Sequence, residues 1–262
     1  MEGSGQAIVL LHGWPTNSRL WTSQVEALRD DHKVITFDWL GFGASDKPRD
    51  HHYTFTAKKE VLATVLSELL EEGEKVTLVA HDIGGPPAIL WASENEERVD
   101  RLILLNTILY TFKTKLDAFS EVLLTLPMIK DWFVSPWGLR QVMRTNTRSR
   151  GKALNQKIEE ILAPYVHVAN DIKRKTLQEP MEEGRRNEIK GLSERFGKIN
   201  APKYLVMAKQ DPLCYAHIKK LSEENPEVPA FTIKNCGHFM PVDRPEALNE
   251  VLVREIVISK RV

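Results

Sequence analysis

The sequence predicts an α/β fold: a mostly parallel sheet flanked by helices, with a helical cap inserted in the second half. Three observations lead there. Short apolar runs alternate with helix-period segments up to about residue 107 and again after about residue 196, the pattern of a parallel sheet covered on both faces. The apolar run Val76 to Ala80 passes through His81-Asp82-Ile83-Gly84-Gly85 straight into a helical pattern from Pro86 to Glu94. Between about Ile108 and Phe196 the chain reads as helices and loops with no convincing strand. So long an insertion after a sheet strand reads as a cap over the strand ends. The expected division is a core from 1–107 and 197–262 and a cap from 108–196.

The elements follow in order. Ala7 to Leu11 is a short buried strand ending in the loop His12-Gly13-Trp14-Pro15. Thr16 to Arg29 carries Leu20, Trp21, Val25 and Leu28 at helical spacing, an amphipathic helix. Lys33 to Phe37 is a strand, followed by a glycine-bearing loop, and Phe55 to Leu70 is a helix. Lys75 to Ala80 is the strand before Asp82, Pro86 to Ser93 the helix after it, and Arg101 to Leu105 the next strand. Proline suits the start of that helix, where its missing N–H costs nothing. Cap helices are expected at Leu116–Leu126, Leu139–Met143, Leu154–Val168 and Ile189–Phe196, punctuated by Pro127, Pro136, Pro164 and Pro180. Arg144, Arg148, Arg150 and Lys152 read as a solvated basic face. Tyr204 to Ala208 and Ala230 to Ile233 are the last strands, with helices at His217–Glu224 and Arg244–Ile258.

Composition narrows the function. The 262 residues carry 36 basic and 36 acidic side chains, so nothing suggests a nucleic-acid surface. No apolar run reaches the ~18 residues of a membrane span, and the first residues do not form a signal peptide. The two cysteines, Cys214 and Cys236, have no metal-ligand spacing and read as free thiols of a reducing compartment. A soluble cytoplasmic protein without metal or cofactor is the expectation.

The chemistry lies in three residues. Asp82 sits where a strand turns sharply into a helix, Asp211 follows one predicted strand and His238 another. Read singly, each has a plain structural role: an N-cap, a turn former before Pro212 and a loop histidine. Nucleophile, acid and histidine in this chain order is the order of the α/β-hydrolase triads. Through HGWP at 12–15, HDIGG at 81–85, AKQDP at 208–212 and CGHF at 236–239, the chain resembles the α/β-hydrolase fold superfamily. It resembles most the branch with an aspartate nucleophile, which includes haloalkane dehalogenases, fluoroacetate dehalogenases and epoxide hydrolases. The stretch FDWLGFGASDKPRDHHY at 37–53 also looks like the mesoderm-specific transcript protein, a relative of that branch. The resemblance implies catalytic Asp82, Asp211 and His238, with the N–H groups of Trp14 and Ile83 as an oxyanion hole. His12 and His81 read as structural.

An aspartate in place of serine redirects the reaction. A carboxylate is already ionised at neutral pH and attacks without a base. Attack on a saturated carbon gives a stable alkyl ester and expels a halide or opens an epoxide. His238, held by Asp211, then activates water against that ester. The expected substrate is a small apolar alkyl halide or epoxide. Haloalkane dehalogenases of this kind carry Trp after the nucleophile and Asn in the HGxP loop; here those positions are Ile83 and Trp14. Trp132 and Trp137 in the cap are the candidate halide donors, with plain cap packing as the other reading. Epoxide hydrolases use two cap tyrosines, and only Tyr165 is a candidate here, because Tyr110 lies too near the sheet. Dehalogenation leads and epoxide hydrolysis is the alternative. A third reading, a non-catalytic binding module, is disfavoured by the complete Asp82, Asp211 and His238 set.

The resemblance also implies an antiparallel hairpin before the HGxP strand, for which the six residues ahead of Ala7 are too few. The exposed sheet edge that results is a pairing liability, and a second copy of the chain is a candidate cover.

Overall fold

A computed structural model describes residues 1–110, 127–183 and 189–257. Six strands form one sheet: β1 (Gln6–Leu11), β2 (His32–Thr36), β3 (Val76–Asp82), β4 (Val99–Thr107), β5 (Lys203–Met207) and β6 (Ala230–Thr232). Their spatial order is β2-β1-β3-β4-β5-β6, and every pairing is parallel. All seven residues of β3 are buried, as the central strand of a sheet covered on both faces must be, so its apolar residues Val76, Leu78, Val79 and Ala80 follow no in-out alternation.

Helices α1 (Thr22–Leu28), α2 (Phe55–Leu69) and α3 (Gly85–Glu94) belong to the first half. The insertion between β4 and β5 contains α4 (Pro127–Val134), α5 (Pro136–Thr145), α6 (Lys152–Leu162), α7 (Asn170–Glu183) and α8 (Leu192–Lys198). Helices α9 (Tyr215–Glu224), α10 (Met240–Asp243) and α11 (Pro245–Glu250) complete the chain, ending in a π-helical stretch, Val251–Val257. Among the described residues no helix is long and apolar enough to cross a membrane.

Several expected elements differ. The strands β3 and β4 run two residues further than the apolar runs, through Asp82 and Thr107. The helix expected from Thr16 divides into a 3-10 turn, Ser18–Trp21, and α1. That expected over Leu154–Val168 ends at Leu162, where Pro164 opens a 3-10 turn, Ala163–Tyr165, having no N–H to continue the α-helical ladder. The closing helix expected from Arg244 starts at Pro245 and changes to π geometry after Glu250. Pro180 falls inside α7 rather than between helices. Helices α4 and α7 were not marked by the sequence pattern. The helix expected at Leu116–Leu126 lies outside the described residues.

Before β1 there is one antiparallel bridge and no hairpin. Glu2 N–H donates to Val34 O (3.0 Å) and Val34 N–H to Glu2 O (2.8 Å), so the chain start covers part of the outer edge of β2.

The cap is tied to the core by buried polar contacts. The Asp243 carboxylate accepts from the N–H groups of Arg148 (2.8 Å), Ser149 (2.6 Å) and Gly237 (2.6 Å). His238 N–H donates to Asn146 O at 2.7 Å. A Cβ at Gly237 would come within 2.9 Å of the Asn146 carbonyl carbon, so only glycine lets these two backbones meet. The end of α5 and the loop carrying His238 are therefore one unit.

Candidate active site

Asp82 is the last residue of β3, at φ 54°. A non-glycine residue in the left-handed region is strained, and such strain persists only where the surroundings hold it. They do. The Thr107 hydroxyl donates to Asp82 O at 2.5 Å, and Gly84 N–H donates to His81 O at 2.9 Å. A Cβ on Gly13 would lie 2.7 Å from Asp82 Oδ1, so glycine is what lets the first loop close on the carboxylate. Trp14 N–H donates to Asp82 Oδ1 at 2.7 Å, and the N–H of Ile83 also stabilises the carboxylate. The N–H groups of Trp14 and Ile83 thus both address the Asp82 carboxylate.

The three candidate triad residues meet. His238 Nδ1 lies 2.9 Å from Asp211 Oδ2, and His238 Nε2 lies 3.6 Å from Asp82 Oδ2. All three are at least 95% buried. Asp211 is held by Asn106, whose amide donates to Oδ2 at 2.7 Å, and by Leu213 N–H, which donates to Oδ1 at 2.7 Å. Asn106 bonds both the N–H and the carbonyl of Ala208 as well, which locks the end of β4 to the loop after β5.

Burial and charge set the protonation states. Burial raises the Asp82 pKa, against the pull of His238 and of the Trp14 and Ile83 N–H groups. Burial opposes ionisation of Asp211 too, but His238, Leu213 and Asn106 outweigh it and its pKa is lowered. Burial disfavours the imidazolium of His238, yet Asp211 and Asp82 outweigh it and its pKa is raised. A carboxylate on Nδ1 fixes the tautomer, so Nε2 is the free nitrogen of the neutral ring.

The other two histidines are structural. Trp39 N–H donates to His12 Nε2 at 3.1 Å, so the proton is on Nδ1, 3.0 Å from Gly13 O. His81 Nε2–H donates to His238 O at 2.9 Å. Desolvation lowers their pKa values to about 4 and about 3 respectively, which keeps both rings neutral.

The cap candidates are placed differently. Trp132 and Trp137 pack edge to face, centroids 5.3 Å apart, and are 48% and 52% exposed. Tyr165 is fully buried, but its hydroxyl already accepts from Gly43 N–H (3.1 Å) and donates to Thr16 O (3.3 Å). The Tyr110 hydroxyl is bonded to Glu224. None of Trp132, Trp137 and Tyr165 is hydrogen-bonded to Asp82, Asp211 or His238 among the described residues.

Three groups at the site escaped the sequence reading. Phe133 of α4 stacks on Trp14, centroids 5.4 Å apart at 13°, bringing the cap onto the loop after β1. The Trp14 indole N–H is buried and has no acceptor among the described residues. Cys214 is buried, with Sγ 3.5 Å from Asp82 Oδ2. Its position three residues after Asp211, on the same loop, was the available signal.

Sheet, elbow and triad define an α/β-hydrolase. The family profile of the alpha/beta hydrolase fold matches residues 6–245, and the chain belongs to that family. Over 92% of its length it is 29% identical to 79% of a cis-3-alkyl-4-alkyloxetan-2-one decarboxylase from Shewanella oneidensis. It is 29% identical over 93% of its length to 87% of a soluble epoxide hydrolase from Corynebacterium. With 86% of a haloalkane dehalogenase from Mycolicibacterium smegmatis it shares 28% identity over 97% of its length. A stretch of 83 residues is 42% identical to the mesoderm-specific transcript homolog protein of Bos taurus, a quarter (25%) of that protein. An esterase from Thermogutta terrifontis has the same fold, with TM-score 0.76 at 20% identity over 96% of this chain and 89% of that one.

Proposed function

We propose that this α/β-hydrolase displaces a leaving group from a saturated carbon through a covalent ester on Asp82, and that an apolar haloalkane is the leading substrate class. The observation that carries the reading is the division of labour within one carboxylate. Oδ1 is held by Trp14 N–H, while Oδ2 faces His238 Nε2 and Cys214. Oδ2, whose contact with Cys214 Sγ is long at 3.5 Å, attacks carbon, and the leaving group departs with the bonding pair. In the ester Oδ1 is the carbonyl oxygen, already accepting from Trp14 N–H. His238 Nε2 takes a proton from water, the hydroxide adds to Asp82 Cγ, and the oxyanion on Oδ1 is held by Trp14 and Ile83. Collapse releases Oδ2 with the alkyl group, and His238 returns the proton to it.

The electrostatics favour this order. Two carboxylates raise the pKa of His238, and alkylation neutralises one of them. Forming the ester thus removes part of the charge that holds the proton on Nε2, and frees the base when it is needed.

The names of three relatives agree with the chemistry. A haloalkane, an epoxide and an alkyl-substituted oxetan-2-one each present a saturated carbon bonded to a leaving group. The choice among them rests on donors. Epoxide opening by cap tyrosine lacks support, because the hydroxyls of Tyr165 and Tyr110 are engaged elsewhere. Exposure also argues against Trp132 and Trp137, since a halide donor works in a desolvated site. The buried, unpartnered indole of Trp14 replaces them as the proposed leaving-group donor.

One turnover in heavy-oxygen water, with enzyme in excess over a bromoalkane, tests the reading. Unlabelled alcohol and a labelled Asp82 peptide are expected. Labelled alcohol with an unlabelled peptide would mean that Asp82 is not the nucleophile. Parallel assays with a styrene-type epoxide and a dialkyl oxetan-2-one decide the substrate class.

A further inference from the structure

Asp82 Oδ2, His238 Nε2 and Cys214 Sγ lie within 4.8 Å of one another, and all three residues are buried. Sγ and Nε2 are 3.5 and 3.6 Å from Oδ2. A tetrahedral zinc ion with bonds of about 2.0–2.3 Å requires ligand atoms about 3.3–3.6 Å apart. Two of the three edges already have that length. A second observation points the same way. His238 is 1% exposed, and its Nε2 has no hydrogen-bond partner among the described residues; it faces this cluster. Asp211 holds the other ring nitrogen at 2.9 Å, the carboxylate–histidine arrangement that orients zinc-ligating imidazoles. Asn106 and Leu213 in turn hold Asp211.

We infer that the catalytic centre is an inhibitory zinc site with Asp82, His238 and Cys214 as its three protein ligands. The ligands come from the end of β3, from the loop between β5 and α9 and from the loop after β6, so no spacing in the sequence announces them. Zinc binding forms one bond to each donor atom and displaces the Cys214 thiol proton to solvent, with no change of oxidation state. The ion occupies the oxygen lone pair that attacks carbon and the nitrogen lone pair that activates water. Zinc therefore blocks both chemical steps, and the site discriminates between soft and hard cations. Zinc and cadmium accept its sulfur and nitrogen donors; magnesium and calcium do not.

The test uses the metal alone, without substrate, so its outcome is independent of whether Asp82 attacks carbon. Zinc titrated into the full chain, with a chromophoric chelator as competitor, is expected to bind at one equivalent. Cobalt in place of zinc is expected to give an intense near-ultraviolet sulfur-to-metal band. Cys214→Ser should remove the band and weaken zinc binding by roughly 10-fold or more, and Asp211→Asn should weaken it by roughly 10–100-fold. Cys236→Ser, whose thiol faces Gly237 O, should change neither. Circular dichroism checks folding, and Cys214→Ala replaces the serine variant if that one is unfolded. Absence of stoichiometric zinc binding, or a sulfur-to-cobalt band that survives loss of Cys214, overturns the inference.

Discussion

His238 Nε2 stands 3.6 Å from Asp82 Oδ2, beyond a hydrogen bond and close enough for one oxygen and one nitrogen to serve successive steps. The nitrogen need not contact the nucleophile before attack, because a carboxylate brings no proton to remove. It must reach the water that later attacks Asp82 Cγ.

His238→Gln therefore separates the two steps. Alkylation should proceed at close to the normal rate, and turnover should fall by roughly 10²–10⁴-fold, the usual contribution of a general base. Intact-protein mass spectrometry after mixing with substrate should find the chain heavier by the alkyl group. A variant that stays unmodified and still turns over would remove His238 from the mechanism.

The pH profile should show two different acid limbs. The ester is hydrolysed only when His238 is neutral, so kcat falls as pH drops through its pKa. With Asp82 esterified, that pKa is lower than in the free enzyme, where two carboxylates raise it. The limb of kcat/KM instead follows protonation of Asp82, whose pKa burial raises. In Asp211→Asn the kcat limb should move to lower pH, because a charge that favours the imidazolium is gone, and the plateau should drop as the ring loses its tautomer lock. A kcat limb that does not move when Asp211 is neutralised would contradict the pairing.

Trp14→Phe tests the leaving-group donor. Phenyl retains an aromatic face toward Phe133 and removes the N–H together with the rest of the pyrrole ring, so denaturant unfolding is measured alongside to separate loss of the donor from loss of packing. Activity on bromoalkanes should fall by roughly 10²-fold, as for loss of one preorganised donor. Trp132→Phe and Trp137→Phe, both half exposed, should lie within a few-fold of the parent. The reverse ranking would return the halide site to the cap.

Tyr165→Phe should behave as a stability variant. It leaves the buried Gly43 N–H and Thr16 O without their partner, at a cost of about 1–3 kcal/mol. Denaturant unfolding measures this. Selective loss of epoxide opening with unchanged stability would instead revive a tyrosine acid.

Gly13→Ala probes the closeness of the first loop to the nucleophile. Its methyl would collide with the Asp82 side chain, at an overpacking cost of about 1–3 kcal/mol. Activity should fall more than stability, because the displaced group is the nucleophile. An alanine variant with full turnover would show that the loop has room to move.

The sequence by itself determined the fold class and the order of the core strands and helices, and it singled out Asp82, Asp211 and His238, which the fold brings together. Continuous apolar runs define buried parallel strands without any tertiary knowledge, and the tight turn through Asp82 is written in its flanking glycines. Element ends were less legible. β3 and β4 run on through Asp82 and Thr107 because neighbouring strands continue the ladder, which local hydrophobicity cannot express. The cap was read as helical but not resolved into α4 and α7, since helices on a partly exposed layer have weak apolar periodicity. Which cap side chains face the triad was beyond the sequence altogether. Trp132, Trp137 and Tyr165 have the right chemistry, and only tertiary packing turned the first two outward and engaged the third with Thr16 and Gly43. The same packing brought Cys214 to Asp82 Oδ2 and left the Trp14 indole buried without an acceptor among the described residues. These relations join residues far apart in the chain, and the physical reason they are invisible in sequence is that spacing along a chain carries no distance between the ends of different strands.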